Sequence, residues 1–241
     1  MHKDSNPELP PETRHAIRVW ARQAALGLVG YGAIIFLSAG TLTWLWGWVL
    51  LGVIAAVLLA HLLILVPTDP DLLVERGKGI RDQGVKDWDK WIAVLAAGVC
   101  PVSSWVVAGT ELRMQQNPPG SLASHLIGLL IHLLGYALFL WAMDSNAFFA
   151  EGVRIQTERG HTVAAGGPYR CIRHPGYAGA ILAQLATPCL LGSSWAWIPS
   201  AASALLYILR TALEDRTLLA ELPGYTAYAQ QTRCRLLPGI W

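Results

Sequence analysis

The chain has 241 residues, of which 54% are hydrophobic and 14% charged, where soluble domains carry about a quarter charged residues. That balance excludes an ordinary soluble domain, and the formal net charge of +2 gives no sign of a nucleic-acid-binding surface. The apolar residues fall in blocks of bilayer-crossing length, so the sequence reads as an integral membrane protein.

The N-terminal stretch MHKDSNPELPPETRHAIR is polar and proline-broken, unlike a secretory leader. Residues 1–20 are therefore expected to form a cytosolic N-terminal segment. Six apolar segments follow: Ala21 to Ala39, Trp44 to Val66, Trp91 to Gly109, Leu122 to Met143, Tyr177 to Leu191 and Trp195 to Leu213. They lack the two-residue alternation of barrel strands, so they are expected to be helices, whose backbone groups are satisfied within the segment. Several of the 11 tryptophans stand at block edges, Trp44, Trp46, Trp48, Trp91, Trp195 and Trp197 among them, as an interfacial belt requires. The fifth segment is short, and Gly192-Ser193-Ser194 leaves almost no loop before the sixth. The pair reads as a tight hairpin over 177–213, kinked at Pro188 and Pro199, whose first arm is short for a full crossing. The expected fold class is thus all-α and polytopic, with five to six transmembrane helices. Residues 21–145 hold the N-terminal helices and an interfacial loop, 67–90, with a short helix over Asp69 to Glu75.

All 18 lysines and arginines except Arg113 fall on one side if six segments cross. Lys3, Arg14, Arg18 and Arg22 precede the first helix, and Arg76, Lys78, Arg81, Lys86 and Lys90 follow the second. Arg154, Arg159, Arg170 and Arg173 lie before the fifth, and Arg210, Arg216, Arg233 and Arg235 come at and after the end of the sixth. By the positive-inside rule both termini and the C-terminal motifs face the cytoplasm.

The four cysteines, at 100, 171, 189 and 234, form no CxxC and read as inert thiols. His125 and His132 are seven apart and share a helix face, but no third ligand accompanies them. They and His61 read as packing residues, and no metal site is indicated. The spacing of Gly27, Gly30 and Gly128 decides nothing about oligomeric state.

Chemistry concentrates in residues 146–241, a region ending in a cytosolic tail. Gly166 to Gly179, GGPYRCIRHPGYAG, sets Tyr169, Arg170, Cys171, Arg173, His174 and Tyr177 directly before an apolar run. Ionisable groups at a bilayer boundary commonly mark a ligand or reaction site. RIQTERGH (Arg154 to His161) precedes it, and RTALEDRTLLAELPGYTAY (Arg210 to Tyr228) follows. The arginines and His174 offer donors to a carboxylate or phosphate, the tyrosines offer stacking faces, and Glu214 and Asp215 offer carboxylates. S-adenosylmethionine displays partners for all of these. So, by inventory alone, do a nucleotide, an adenylate or an anionic lipid headgroup. Asp144 and Asn146 stand where they either line a pocket or sit at the interface.

Taken in order, NAFFAEGVRIQTERGHTV, GGPYRCIRHPGYAG, RTALEDR, LPGYTAY and RLLPGIW resemble the isoprenylcysteine carboxyl methyltransferase family of integral membrane proteins, in its bacterial branch, over roughly Asn146 to Trp241. The resemblance implies a multi-pass protein of the bacterial inner membrane with S-adenosyl-L-methionine bound at its cytosolic C-terminal region. A lipophilic small molecule or lipid, most simply an isoprenylcysteine-like carboxylate, is the implied methyl acceptor. Carried over by motif, Gln156, His161, Thr162, Val163, Ala164, Tyr169, His174, Pro175, Gly176, Tyr177 and Glu214 bind the cofactor, and Arg210 orients the acceptor. Family members often carry two glutamates where this chain has Glu214-Asp215, which leaves the role of Asp215 open. Two rival readings remain: an NADPH-dependent sterol-type membrane reductase, which shares an RHPxYxG-like segment, and a non-enzymatic protein recognising anionic lipid.

Overall fold

A computed structural model of the chain describes residues 11–81, 84–115 and 120–241. The first ten residues, Lys3 among them, and positions 82–83 of the expected interfacial loop lie outside this description. Among the described residues there are nine α-helices and no strand. They are α1 Pro11–Ala39, α2 Leu45–Thr68, α3 Pro70–Lys78, α4 Asp87–Val94, α5 Cys100–Gln115, α6 Leu122–Asp144, α7 Pro175–Leu191, α8 Trp197–Glu221 and α9 Tyr225–Gln231. A single π-helical turn, Leu95–Val99, joins α4 to α5.

Among the described residues, four stretches are long and apolar enough to cross a bilayer: Thr13–Ala39, Leu45–Thr68, Asp87–Met114 and Leu122–Asp144. The protein is an all-helical membrane protein. With 17 residues, α7 rises about 26 Å against a hydrocarbon core of about 30 Å, in keeping with the short arm read from the sequence. Two element boundaries depart furthest from expectation. The helix expected from Ala21 starts at Pro11, so Arg14 and Arg18 already lie on α1 rather than in a preceding tail. The last long helix, expected to end near Leu213, runs on to Glu221, where Leu222 turns extended ahead of Pro223. A residue before proline is pushed out of the α region, which is what stops it. Arg210, Glu214 and Asp215 are thereby interior helical positions rather than a frayed end.

The short helix expected over 69–75 is α3, capped by the Asp69 side chain accepting from the Leu72 N–H at 2.9 Å, with Pro70 at the first helical position. Pro199 falls in the first turn of α8, where no intrahelical N–H is required of it. Pro188 lies inside α7, which ends three residues later at Leu191 and is followed by Gly192 in the left-handed region (φ 68°).

The bundle is organised around the contact of α6 with α7. A Cβ on Gly135 would stand 2.6 Å from both the Ala183 nitrogen and the Gly179 oxygen, and one on Gly179 would stand 2.5 Å from the Gly135 oxygen. Gly128 meets the Leu190 backbone in the same way. Glycines let two helix backbones touch where lipid supplies no hydrophobic drive to press them together. Both α6 histidines complete this seam. His125 Nδ1 donates to the Leu190 carbonyl and His132 Nδ1 to the Ala183 carbonyl, each at 2.8 Å. These are packing roles, as the spacing suggested. His61 likewise donates to its own helix at Val57 (2.9 Å).

Gly135→Val is expected either to prevent folding or to lower the thermal midpoint by more than about 10 °C, because the intruding atoms meet main chain that cannot rotate away. Gly27→Ala, whose new methyl group meets nothing within 4 Å, should unfold with the wild type. A thermal melt in detergent micelles separates the two.

Deeper in the bundle, Ser104 of α5 bonds Ser200 of α8 at 3.0 Å, and Gln184 of α7 donates to Ser104 at 3.1 Å. This polar knot ties three helices together. Arg113, the basic residue that breaks the charge asymmetry, lies beside Gly40 in the α1–α2 turn, at the opposite end from the motif loops.

Candidate functional site

The loops that leave α6 and enter α7 are held by side chains rather than by regular backbone pairing. Asn146 accepts from the Phe148 N–H at 2.9 Å, an Asx turn that folds the chain back beneath α6, and its amide donates to the Tyr169 hydroxyl at 3.2 Å. Gln156, 1% exposed, donates to the Phe148 carbonyl (2.9 Å) and accepts from Arg159 (2.6 Å). Its backbone N–H reaches His161 Nδ1 at 3.3 Å. Nδ1 is then the acceptor nitrogen, and Nε2 carries the proton of the neutral ring. Burial and the charges of Arg154 and Arg159 hold the His161 imidazolium below its ordinary pKa of 6.5, and the ring stacks on Phe148 at 4.4 Å.

The RHPGY segment is fixed from below by the C-terminal tail. Arg173 N–H donates to the Cys234 carbonyl and His174 N–H to the Arg235 carbonyl, both at 2.9 Å. Arg173 also forks onto Asp215, with Nε and Nη2 each at 2.9 Å from a carboxylate oxygen. Asp215, with no exposed surface, further accepts from Arg235 (2.8 Å), Tyr225 (2.9 Å) and His174 Nε2 (3.3 Å). Burial pushes its carboxyl up, and the bonds from His174, Arg235, Arg173 and Tyr225 outweigh that and hold it well below the usual carboxylate range. The residue whose role the motif left open is the knot joining α8, α9, the RHPGY loop and the tail.

These elements enclose a cavity of about 490 Å³, within the range of small-molecule sites. Its wall includes His161, Thr162, Val163, Ala164, Tyr169, His174, Gly176, Tyr177, Arg210 and Glu214. Ten of the twelve candidate residues therefore share one cavity. Gln156 and Pro175 do not line it: Gln156 stitches the loop internally, and Pro175 opens α7. Asn146 is on the wall and Asp144 is not.

Two lobes meet at Tyr177. Its hydroxyl donates to Glu214 Oε2 at 2.5 Å, and the Arg210 guanidinium lies over its ring at 5.1 Å from the centroid. On one side are the polar loop residues with Tyr225 and Tyr228. On the other are Tyr31, Ala93, Val94, Ala97, Gly98, Phe139 and Tyr207, an apolar wall drawn from α1, α4, the π turn, α6 and α8. Such π turns are frequent at functional sites.

Arg210 does not present an unpaired charge to this cavity. It forks onto Asp89 of α4 (Nε–Oδ1 2.6 Å, Nη2–Oδ2 2.8 Å) and Nη2 donates to the Glu151 carbonyl at 2.6 Å. Nη1 is the nitrogen without a partner among the described residues. Asp89, fully buried, also accepts from the Val153 N–H at 2.7 Å. Sequence reasoning missed Asp89, as well as Arg76 and Arg154 on the cavity wall. Arg76 is partly buried over Phe149, and Arg154 is locked between Glu75 and Glu158 (2.7 Å to the latter). Nothing in the local sequence DWDKW distinguishes Asp89 from the exposed Asp87 two residues earlier.

The sequence model of the isoprenylcysteine carboxyl methyltransferase (ICMT) family matches residues 126–220. No curated protein matches the chain. The matched region begins inside α6, upstream of the Asn146 boundary drawn from the motifs, and ends before LPGYTAY and RLLPGIW, so those two segments fall outside it.

Proposed function

We propose that this chain, whose residues 126–220 match the isoprenylcysteine carboxyl methyltransferase family, is a membrane methyltransferase that uses S-adenosylmethionine to methylate a lipophilic acceptor. The one-sided distribution of basic residues supports a topology with the motif loops and both termini on the cytoplasmic side, and the family resemblance supports a bacterial inner membrane as the setting. What carries the reading is that His174, Tyr177 and Glu214 border a single cavity with one polar and one apolar lobe.

The residues present fit the donor. In the polar lobe His161, Thr162, Val163, Ala164, Tyr169, His174, Gly176, Tyr177 and Glu214 would hold it. Tyr169 offers a stacking surface, and Glu214, whose partner among the described residues is the Tyr177 phenol, offers a carboxylate to ammonium or ribose hydroxyls. Gln156 and Pro175 act one step removed, by setting the loop and the start of α7. When bound, S-adenosylmethionine supplies an electrophilic methyl group on a sulfonium.

The chain's own part is positional. The apolar lobe admits the acceptor and excludes water, and Arg210 Nη1, beside Tyr177 at the junction, orients an acceptor carboxylate through one charge-assisted bond. Its other nitrogens are held by Asp89 and Glu151, so the guanidinium stays in place without the acceptor. A carboxylate acceptor releases no proton and needs no base. An amine acceptor would need one, and Glu214 is the carboxylate at the junction, since His174 Nε2 faces Asp215.

Equilibrium binding of labelled S-adenosylmethionine to the purified protein is the test. Glu214→Ala and His174→Ala should each weaken binding at least about tenfold, and NADPH should not compete. Unchanged affinity in both variants, or displacement by NADPH, would refute the assignment.

A further inference from the structure

The tyrosines of the cavity divide into two sets. At the polar lobe every phenol is engaged: Tyr169 with Asn146, Tyr177 with Glu214, Tyr225 with Asp215 and Tyr228 with the Tyr169 carbonyl. At the apolar lobe neither Tyr31 nor Tyr207 hydrogen-bonds any described residue, although both line the cavity. Packing fixes their rings. Tyr31 is edge-on to Trp105 at 5.2 Å and Tyr207 is tilted against Tyr177 at 5.6 Å. If this lobe held hydrocarbon alone, phenylalanine would fill the same space without a hydroxyl to desolvate.

A third phenol and an orphaned nitrogen extend the same polar trail along α6. Tyr136 lies on α6 one turn from Phe139 of the cavity wall. His132, edge-on to Tyr136 at 5.0 Å, spends Nδ1–H on the Ala183 carbonyl, and its Nε2 lone pair is buried without a donor. At membrane depth such groups find partners within the protein or in what the protein binds.

We propose that the apolar lobe is a subsite for an oxygen-bearing lipid, in which the Tyr31 and Tyr207 hydroxyls hold a hydroxyl or carbonyl oxygen on the acceptor's hydrocarbon portion. The inference rests on the methyl-transfer reading for which lobe takes the acceptor, and it narrows the acceptor class: an unfunctionalised hydrocarbon tail is disfavoured, because it strips solvent from two phenols and returns no bond.

The test compares dodecanoic acid with its 8-, 10- and 12-hydroxy derivatives, as ligand-induced shifts of the unfolding transition in detergent micelles. In the wild type at least one hydroxy acid should bind about tenfold more tightly than dodecanoic acid. In the Tyr31→Phe/Tyr207→Phe protein that ratio should fall to near one, the unliganded transition of the variant reporting that it is folded. If the double variant does not fold, Tyr31→Phe and Tyr207→Phe are read singly, each reducing the ratio. Equal or tighter binding of dodecanoic acid by the wild type, an unchanged ratio in the variants, or no binding by any of the four acids overturns the subsite. Adding labelled S-adenosylmethionine separates the two claims. Preferential binding without methyl ester formation defeats the methyl-transfer reading and leaves the subsite standing, while ester formation without preference does the reverse.

Discussion

Asp89→Ala should lower the thermal midpoint by about 10 °C and abolish methyl transfer, although Asp89 is not a cavity-wall residue. The reason lies in what the substitution leaves behind. Arg210 is 6% exposed and its guanidinium is neutralised by Asp89 through two hydrogen bonds. Removing one partner of a buried pair strands the other charge and costs about 3–5 kcal/mol. Asp89→Asn keeps the shape and an acceptor for the Val153 N–H, so it should lose less stability while still releasing Arg210. Its signature should be a raised KM for the acceptor at nearly unaltered cofactor affinity. The double replacement Asp89→Ala/Arg210→Met should regain much of the stability, because an apolar pair of similar bulk is often as stable as a buried ion pair. It should not regain transfer. Thermal melts and a methylation assay on the three variants decide the matter, and wild-type stability in Asp89→Ala would show that the pair does not hold α4 to α8.

Asp215→Asn should be comparably damaging, by about 3 kcal/mol or more, and its effect should depend on pH. One carboxylate serves Arg173, Arg235, His174 and Tyr225, and no water reaches it. The neutral amide leaves two guanidinium groups facing each other across an uncharged centre. The folded-state pKa of Asp215 is depressed below its ordinary value of 3.8, so below that pH the unfolded chain takes up a proton that the folded chain refuses. Its stabilisation is therefore complete at neutral pH and drains away only as the pH falls through and below 3.8. Wild-type melting curves should steepen their decline there, and the variant, unstable throughout, should lack that component. Parallel pH profiles of the two proteins would contradict the assignment. Cofactor affinity should fall with stability, since the loop carrying His174 hangs from this knot.

The helical class and the membrane environment were legible from apolar block length, because in lipid that is nearly the only structure the physics permits. The convergence of the C-terminal motifs was legible as well, since turn-rich polar segments at helix ends have few places to go. What escaped was pairing across distance. Asp89 and Arg210 are separated by more than a hundred positions, and no local pattern marks a carboxylate that will be buried. Asp215 was visible only as a shortened version of a glutamate. Its burial followed from α8 running two turns past the apolar block, which composition did not reveal. Gln156 was assigned to the ligand by its place in the family motif, whereas its own side chain turns inward to close the loop. The unengaged phenols of Tyr31 and Tyr207 could be recognised only once the partners of the other cavity tyrosines were known.

The main-chain contact of α6 with α7 also dictates how the molecule breathes. Two helices that meet through Gly128, Gly135 and Gly179 cannot slip past each other by a fraction of a turn without colliding. The pair is a stiff mast, so any opening of the cavity falls to its other walls, α1, α4 and the π turn. Among them the π turn, packed against α8, leaves open space where a Gly98 side chain would begin, and a small outward swing of α4 costs no main-chain overlap at that point.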